Sequence, residues 1–410
     1  MRQFNSQIFT IHHYAFLKLL CFRFLIVLAY QIMAVAVGWH IYEITHDTLS
    51  LGLIGIAEVI PYFVCALLAG YAVDHHCSRR FFGALSAFIL SLSAIMLAAI
   101  SSGWLQSSTW LIYSAFALTG FGRAFIAPSH SALFAIILPR EDYARATGIG
   151  SSVFQTGLVL GPAIGGLLIG FASKTTAYSI AMVLCLSAAI AMLSIRVKEP
   201  SPAASTAVFS SIVQGLRFVF SHQIVLGALS LDMFAVLFGG AVAMLPAFVQ
   251  DIYHIGPQGL GILRACPALG AIFTGLWLTR YPINLHAGRW LLAAVGGFGF
   301  CIIGFGFATS FWVAGVLLGL SGVCDGLSVV MRQTILQLAT PDVMRGRVSA
   351  INGIFIGSSN EIGAFESGVA ARLMGLVHSV IFGGLITLFV VGLAAKFAPK
   401  LRDLELHQLH

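Results

Sequence analysis

Apolar stretches long enough to cross a bilayer recur along almost the whole of this 410-residue chain. Each can span about 30 Å of hydrocarbon as a helix. They run over 16–44, 50–74, 81–101, 108–137, 147–171, 175–195, 224–250, 257–280, 289–308, 311–338, 348–371 and 375–396. The runs are continuous, whereas strands of a membrane barrel alternate apolar and polar residues over about 10 positions, so helices are expected. With 59% hydrophobic and 9% charged residues, water cannot be the main solvent.

The formal charge of +7 raises nucleic acid as a partner, and the placement of the basic residues decides against it. Arg79 and Arg80, Arg140 and Arg145, Arg196, Lys198 and Arg217, Arg280 and Arg289, Arg345 and Arg347, then Lys396, Lys400 and Arg402 occupy alternate loops. The intervening loops hold little beyond Lys174 and Arg372. The positive-inside rule therefore puts both termini and the middle loop in the cytoplasm, which requires an even number of crossings. Twelve satisfies it. The first apolar run is too long for a signal-peptide core and is read as a membrane helix. The seven cysteines are scattered without a CxxC pair, so neither a disulfide framework nor a metal site is expected. No GxxxxGK[ST] loop is present, which disfavours ATP-driven chemistry. Nor does any nucleophile–base or metal constellation suggest an enzyme or a cofactor.

The longest polar stretch, 196–222, has linker composition, with Pro200 and Pro202 followed by Ala, Ser and Thr. It divides the chain into a six-helix half at 1–195 and a second at 223–396, leaving a cytoplasmic tail at 397–410. A constant shift of 202 positions pairs Gly120 with Gly322, Pro139 with Pro341, Arg145 with Arg347, Gly161 with Gly363 and Gly166 with Gly368. Parallel repeats of this kind belong to transporters whose substrate site lies between the halves near the bilayer midplane.

Two motifs punctuate the first half. Gly70-Tyr71-Ala72-Val73-Asp74-His75-His76-Cys77-Ser78-Arg79-Arg80 places an acid and a basic pair at a cytoplasmic helix end, where they can bridge neighbouring helices or merely set topology. Gly157, Gly161, Gly165 and Gly166 around Pro162 allow close helix approach and a bend. Together with 31–45, 120–145 and 325–368, these segments resemble the major facilitator superfamily, in particular the enterobactin-exporter-like branch of its drug:proton antiporters. The resemblance covers nearly the whole chain. It implies an all-α integral membrane protein of twelve transmembrane helices in two pseudo-symmetric halves, seated as a monomer in a bacterial inner membrane. It also implies gating by Gly70, Asp74, Arg79, Arg80, Gly157, Gly161, Pro162, Gly165 and Gly166. His75 and Ser78 stand where that loop motif usually carries basic residues, which weakens the expected cytoplasmic latch.

An ionisable residue at the bilayer midplane costs about 2.5 to 3.5 kcal/mol on the insertion scale and marks a functional position by default. Glu58, Asp232, Asp325, Glu361 and Glu366 qualify, with Arg23, Arg123, Arg264, Arg332 and Arg372 as candidate counter-ions. Asp232 and Asp325 match by helix and depth the acids with proton-coupling roles in similar exporters. Glu361 is the third candidate, and a fixed Asp325–Arg332 pair is the competing structural reading. Glu366 reads as a structural partner of Arg372. Arg123 and Asp325 fall at pseudo-symmetric positions with opposite charge, open to binding each other in an empty cavity and substrate or a proton otherwise, or to a permanent interhelical bridge. Tyr30, Gln31, Glu58, Arg123, Phe234, Phe238 and Arg332 are the expected cavity residues. The resulting expectation is secondary active export of an amphipathic small molecule, siderophore or drug-like, by rocker-switch alternating access coupled to proton influx. Proton-independent export, flipping of a lipid-like molecule, or a non-transporting receptor on the same fold are the alternatives.

Overall fold

A computed structural model describes residues 2–75, 78–106, 108–139, 142–197, 199, 208–281, 286–341 and 344–405. The first part of the chain forms α1 (Arg2–Thr45), α2 (Thr48–His75), α3 (Arg79–Ser101), α4 (Thr109–Arg123), α5 (Ile126–Ile137), α6 (Tyr143–Phe171) and α7 (Lys174–Leu193). The remainder forms α8 (Val208–Ser221), α9 (Gln223–Phe238), α10 (Leu245–Ala247), α11 (Pro257–Arg280), α12 (Ala287–Phe307), α13 (Phe311–Ala339), α14 (Arg345–Met374), α15 (Leu376–Phe397) and α16 (Pro399–Arg402). No strand occurs among the described residues. This follows from the solvent, because a helix satisfies every backbone hydrogen bond within its own segment.

Eleven stretches among the described residues are long and apolar enough to cross a membrane. The twelfth expected crossing, 348–371, lies within α14, whose 30 residues reach about 45 Å and are amply long. Asn352, Asn360, Glu361 and Glu366 make this helix more polar than its neighbours. Two crossings are also less regular than the apolar runs suggest. The stretch 109–137 breaks between α4 and α5, with Gly120 and Gly122 before the break and Pro128, which lacks an N–H, just after it. That break leaves Arg123 in the last turn of α4, where its charge complements the helix dipole. Beyond α9, Gly239 and Gly240 give way to a 3₁₀ turn over Gly240–Met244, the short α10 with Pro246, and a π turn over Phe248–Ile252.

The chain divides into two units, one of Met1–Ile41 and Ala57–Thr206, the other of Tyr42–Ile56 and Ala207–His410. The α1–α2 connection thus belongs with the second unit. There the backbone of α14 lies against Gly52 and Gly55, where an added Cβ would sit 3.0 Å from the Ala364 carbonyl oxygen and 2.7 Å from that of Glu361. Of the expected linker, 198 and 200–207 lie outside the described residues, as do 406–410 of the expected tail. The end of the linker is the helix α8. Its Leu216, Phe218 and Val219 pack on Val225 and Leu229 of α9, Leu336 of α13, and Val348 and Ile351 of α14. In the tail, outside the spans, the Asp403 carboxyl is pulled down to about 2, chiefly by a hydrogen bond from Arg402 and further by Arg289.

Lipid offers no hydrophobic drive for one helix to leave it for another, so close packing at small residues must hold the helices of each unit together. The 202-residue repeat falls on these contacts. In the first unit a Cβ on Gly120 of α4 would overlap the Glu58 carbonyl oxygen of α2; in the second a Cβ on Gly322 of α13 would overlap the Pro267 carbonyl oxygen of α11. Likewise Gly161 of α6 abuts Gln31 of α1, and Gly363 of α14 abuts Leu237 of α9. Gly322→Ala is therefore expected to destabilise the protein by about 1–3 kcal/mol, because two backbones must separate. Gly275→Ala, where a Cβ meets nothing within 4 Å, is the control and should be neutral or slightly stabilising. Thermal unfolding in one detergent compares the two.

Candidate functional site

Two clusters of charged side chains lie inside the spans, one within each unit. In the first, α1, α2 and α4 bring together Tyr30, Glu58 and Arg123. Glu58 is only 2% exposed. An Arg123 guanidinium N–H donates both to Glu58 and, at 2.7 Å, to the Tyr30 hydroxyl. Tyr30 in turn donates to the other Glu58 oxygen at 3.1 Å. The guanidinium lies 4.0 Å from the centre of the Tyr30 ring and 6.0 Å from that of Tyr62, so cation–π attraction adds to the ion pair. Tyr62 lies one turn after Glu58 on α2 and was not among the expected cavity residues; its i, i+4 spacing from that acid was the available signal. Gln31 follows Tyr30, with its Cβ against Gly161.

In the second unit, Asp232 of α9 and Arg332 of α13 are both buried and form an ion pair. Ser328, one turn before Arg332, donates to the same carboxylate at 3.4 Å. Two turns before Arg332 on the same helix, Asp325 is half-buried and makes no hydrogen bond or ion pair among the described residues. Arg332 therefore serves Asp232 rather than Asp325, and Arg123 serves Glu58. Phe234 is 37% exposed, whereas the Phe238 carbonyl packs into the notch at Gly383. By the 202-residue shift Tyr30 corresponds in sequence to Asp232 and Arg123 to Asp325, so equivalent positions carry different charges in the two units.

Two further expected charge pairings resolve differently from their sequence reading. Arg372 lies 3.8 Å from Asp47 and not beside Glu366. Arg23 has no acidic partner among the described residues and instead stacks 5.1 Å over the Phe154 ring. Glu361 is half-buried on α14, its carbonyl packed against Gly55.

The gating motifs are partly assembled in the first unit. Gly70 and Asp74 are described only as helical backbone of α2. Arg79 and Arg80 open α3, and their acid is Glu199, just past α7. Glu199 accepts from the Arg79 backbone N–H at 2.6 Å and from Arg80 Nε at 2.6 Å, while Arg80 also reaches the Ile195 carbonyl at 2.6 Å. No sequence motif links residues so far apart; the signal was a single acid in an otherwise basic loop. Along α6, Gly157 and Gly165 face α1, where a Cβ would stand 2.8 Å from Val27 Cγ1 and 3.2 Å from Ile32 Cα. Pro162 lies inside this helix, and Gly166 is buried.

Comparison with known proteins fits this arrangement. Residues 19–364 match the family model of the Major Facilitator Superfamily. The enterobactin exporter EntS of Escherichia coli O6:K15:H31 (strain 536 / UPEC) is 25% identical over 402 residues, covering 93% of each chain. The multidrug efflux pump Tap of Mycolicibacterium fortuitum is 26% identical over 389 residues, covering 92% of this chain and 93% of that one. Among solved structures, a bacterial homolog of the human lysosomal transporter Spinster, inward-facing and unoccupied, superposes with a TM-score of 0.74 at 15% identity, covering 96% of this chain and 98% of that one. The nucleoside transporter NupG superposes with a TM-score of 0.72 at 12% identity, covering 94% and 99%.

Proposed function

Because the chain belongs to the Major Facilitator Superfamily, we propose that it is a secondary active exporter of an amphipathic small molecule, driven by proton entry through alternating access of its two halves. Asp325 carries this reading. Glu58 and Asp232 each face an arginine, so their charges are compensated without outside help. Asp325 has no such partner among the described residues, and an acid at that depth must take its compensation from something mobile. A proton supplies it on one side and leaves on the other. Glu361 is the second proton site, and Asp232 joins only when its bond to Arg332 opens.

The named exporters among the relatives support efflux as the direction, and a siderophore or drug-like cargo as its class. Within the first unit, Tyr30, Gln31 and Arg123 offer an amphipathic cargo an aromatic face and hydrogen-bond donors. The basic residues in alternate loops support a bacterial inner-membrane protein with both termini in the cytoplasm. Arg79, Arg80 and Glu199 supply a cytoplasmic clasp, and the glycine seam of α6 on α1 gives a surface on which helices can slide closely.

Proteoliposomes with an imposed proton gradient test the coupling, with enterobactin and ethidium as probes. Asp325→Asn is expected to reduce gradient-driven transport to the level of protein-free liposomes while probe exchange without a gradient persists. Full gradient-driven transport by that variant would falsify the assignment.

A further inference from the structure

Arg23 is an intramembrane cation whose surroundings point to an outside partner. It sits nine residues into the Tyr14–Thr45 span, about 13 Å from its start, too deep to be a topology signal alone. The first unit gives it no acid among the described residues. Its guanidinium lies over the exposed ring of Phe154, and a Cβ on Gly150, one turn earlier on α6, would be only 3.7 Å from its Nη1. From α5 comes His130, stacked on Phe134 at 6.2 Å; Phe134 packs on Phe16 of α1 with ring centroids 6.2 Å apart, which sets His130 one turn and Arg23 two turns further into the span. His130 Nε2 and the adjacent Ser129 Oγ are both buried without a hydrogen-bond partner among the described residues. Buried polar atoms are normally hydrogen-bonded, so two adjacent ones left unpaired call for a partner. On α6, Thr147, Ser151, Ser152 and Thr156 are exposed over the turns around Phe154; Ser152 and Thr156 donate to the Gly148 and Ser152 carbonyls of their own helix and keep lone pairs to accept with. In the second unit the residue 202 positions after His130 is Arg332, whose charge Asp232 already neutralises.

We propose that Arg23 and His130, with the hydroxyl-bearing inner turns of α6, form a recognition site for an anionic group of carboxylate or phosphate type on the transported molecule. The inference rests on the export reading and narrows its cargo to amphiphiles carrying a negative head. Arg23 supplies the charge and a planar donor fork, His130 Nε2 a further donor, and Phe154 holds the guanidinium flat. The exposed Thr147 and Ser151 hydroxyls add adaptable hydrogen bonds.

Full-length protein in phosphatidylcholine nanodiscs can be titrated by fluorescence with dansylglycine and with its neutral amide. The anion is expected to bind about tenfold more tightly, the scale of one charge-assisted contact. Arg23→Gln should bring the ratio close to one, His130→Leu should lower it, and Arg23→Lys should keep most of it. If Arg23→Gln does not fold, the Arg23→Lys and His130→Leu ratios decide. Equal binding of the two probes by the unaltered protein, or a ratio untouched by Arg23→Gln or His130→Leu, overturns the site. Partial replacement of the lipid by phosphatidylglycerol separates the anion's sources: loss of the preference there assigns the site to lipid phosphate and overturns the cargo assignment. These readings need no gradient, so a failure of proton coupling leaves them intact and is detected separately with Asp325→Asn.

Discussion

Arg332→Leu is expected to destabilise the protein by about 3–5 kcal/mol, the cost of stranding one member of a buried ion pair. Asp232 and Arg332 are 4% and 2% exposed, and the remaining hydrogen bond to the stranded carboxylate, from Ser328 at 3.4 Å, is long. The double variant Asp232→Asn, Arg332→Leu removes both charges and should recover most of the loss, because the pair's own attraction scarcely exceeds the desolvation of its members. Thermal unfolding of the single and double variants in one detergent measures the difference. If the double variant were as unstable as the single, the loss would come from packing around the long Arg332 side chain and not from the stranded charge. The distinction bears on mechanism, since an ion pair of small net worth can open during a transport cycle whereas a strongly stabilising one cannot.

The helical skeleton was legible because hydrocarbon imposes one solution on the backbone, and a run such as 375–396 can do little but form the helix Leu376–Phe397. The 202-residue repeat was legible for a related reason: Gly120 and Gly322 mark the same type of helix crossing, and few other residues fit where backbones touch. Charge pairing was not legible. Spacing along α13 puts Arg332 two turns from Asp325, but pairing depends on rotation and depth across different helices, and these brought Asp232 from α9 instead. The Glu199 pairing is illegible for the same reason, since its partners Arg79 and Arg80 are about 120 residues away. Regularity within spans was overestimated at Gly239–Ile252, where paired glycines and Pro246 permit 3₁₀ and π turns that an apolar run does not reveal.

Removing Arg123 should have a second large effect, of a different character. Arg123→Leu leaves Glu58, 2% exposed, with only the Tyr30 hydroxyl at 3.1 Å for its charge. The expected cost is about 2–3 kcal/mol, below that of the fully buried pair because 31% of the Arg123 side chain is exposed and water can reach its site. Glu58→Gln should cost less, since it strands a guanidinium that retains the Tyr30 ring at 4.0 Å and access to solvent. Arg123→Lys will not restore the wild-type protein: an ammonium keeps the charge but loses the planar face that stacks on Tyr30. Unfolding temperature should therefore fall in the order wild type, Glu58→Gln, Arg123→Leu. Transport of an aromatic probe should fall in both Arg123 variants, more than stability alone accounts for in Arg123→Lys. Equal transport by Arg123→Lys and wild type would reduce this cluster to an internal strut, and would leave Phe234 and the neighbourhood of Asp325 as the surfaces that meet the cargo.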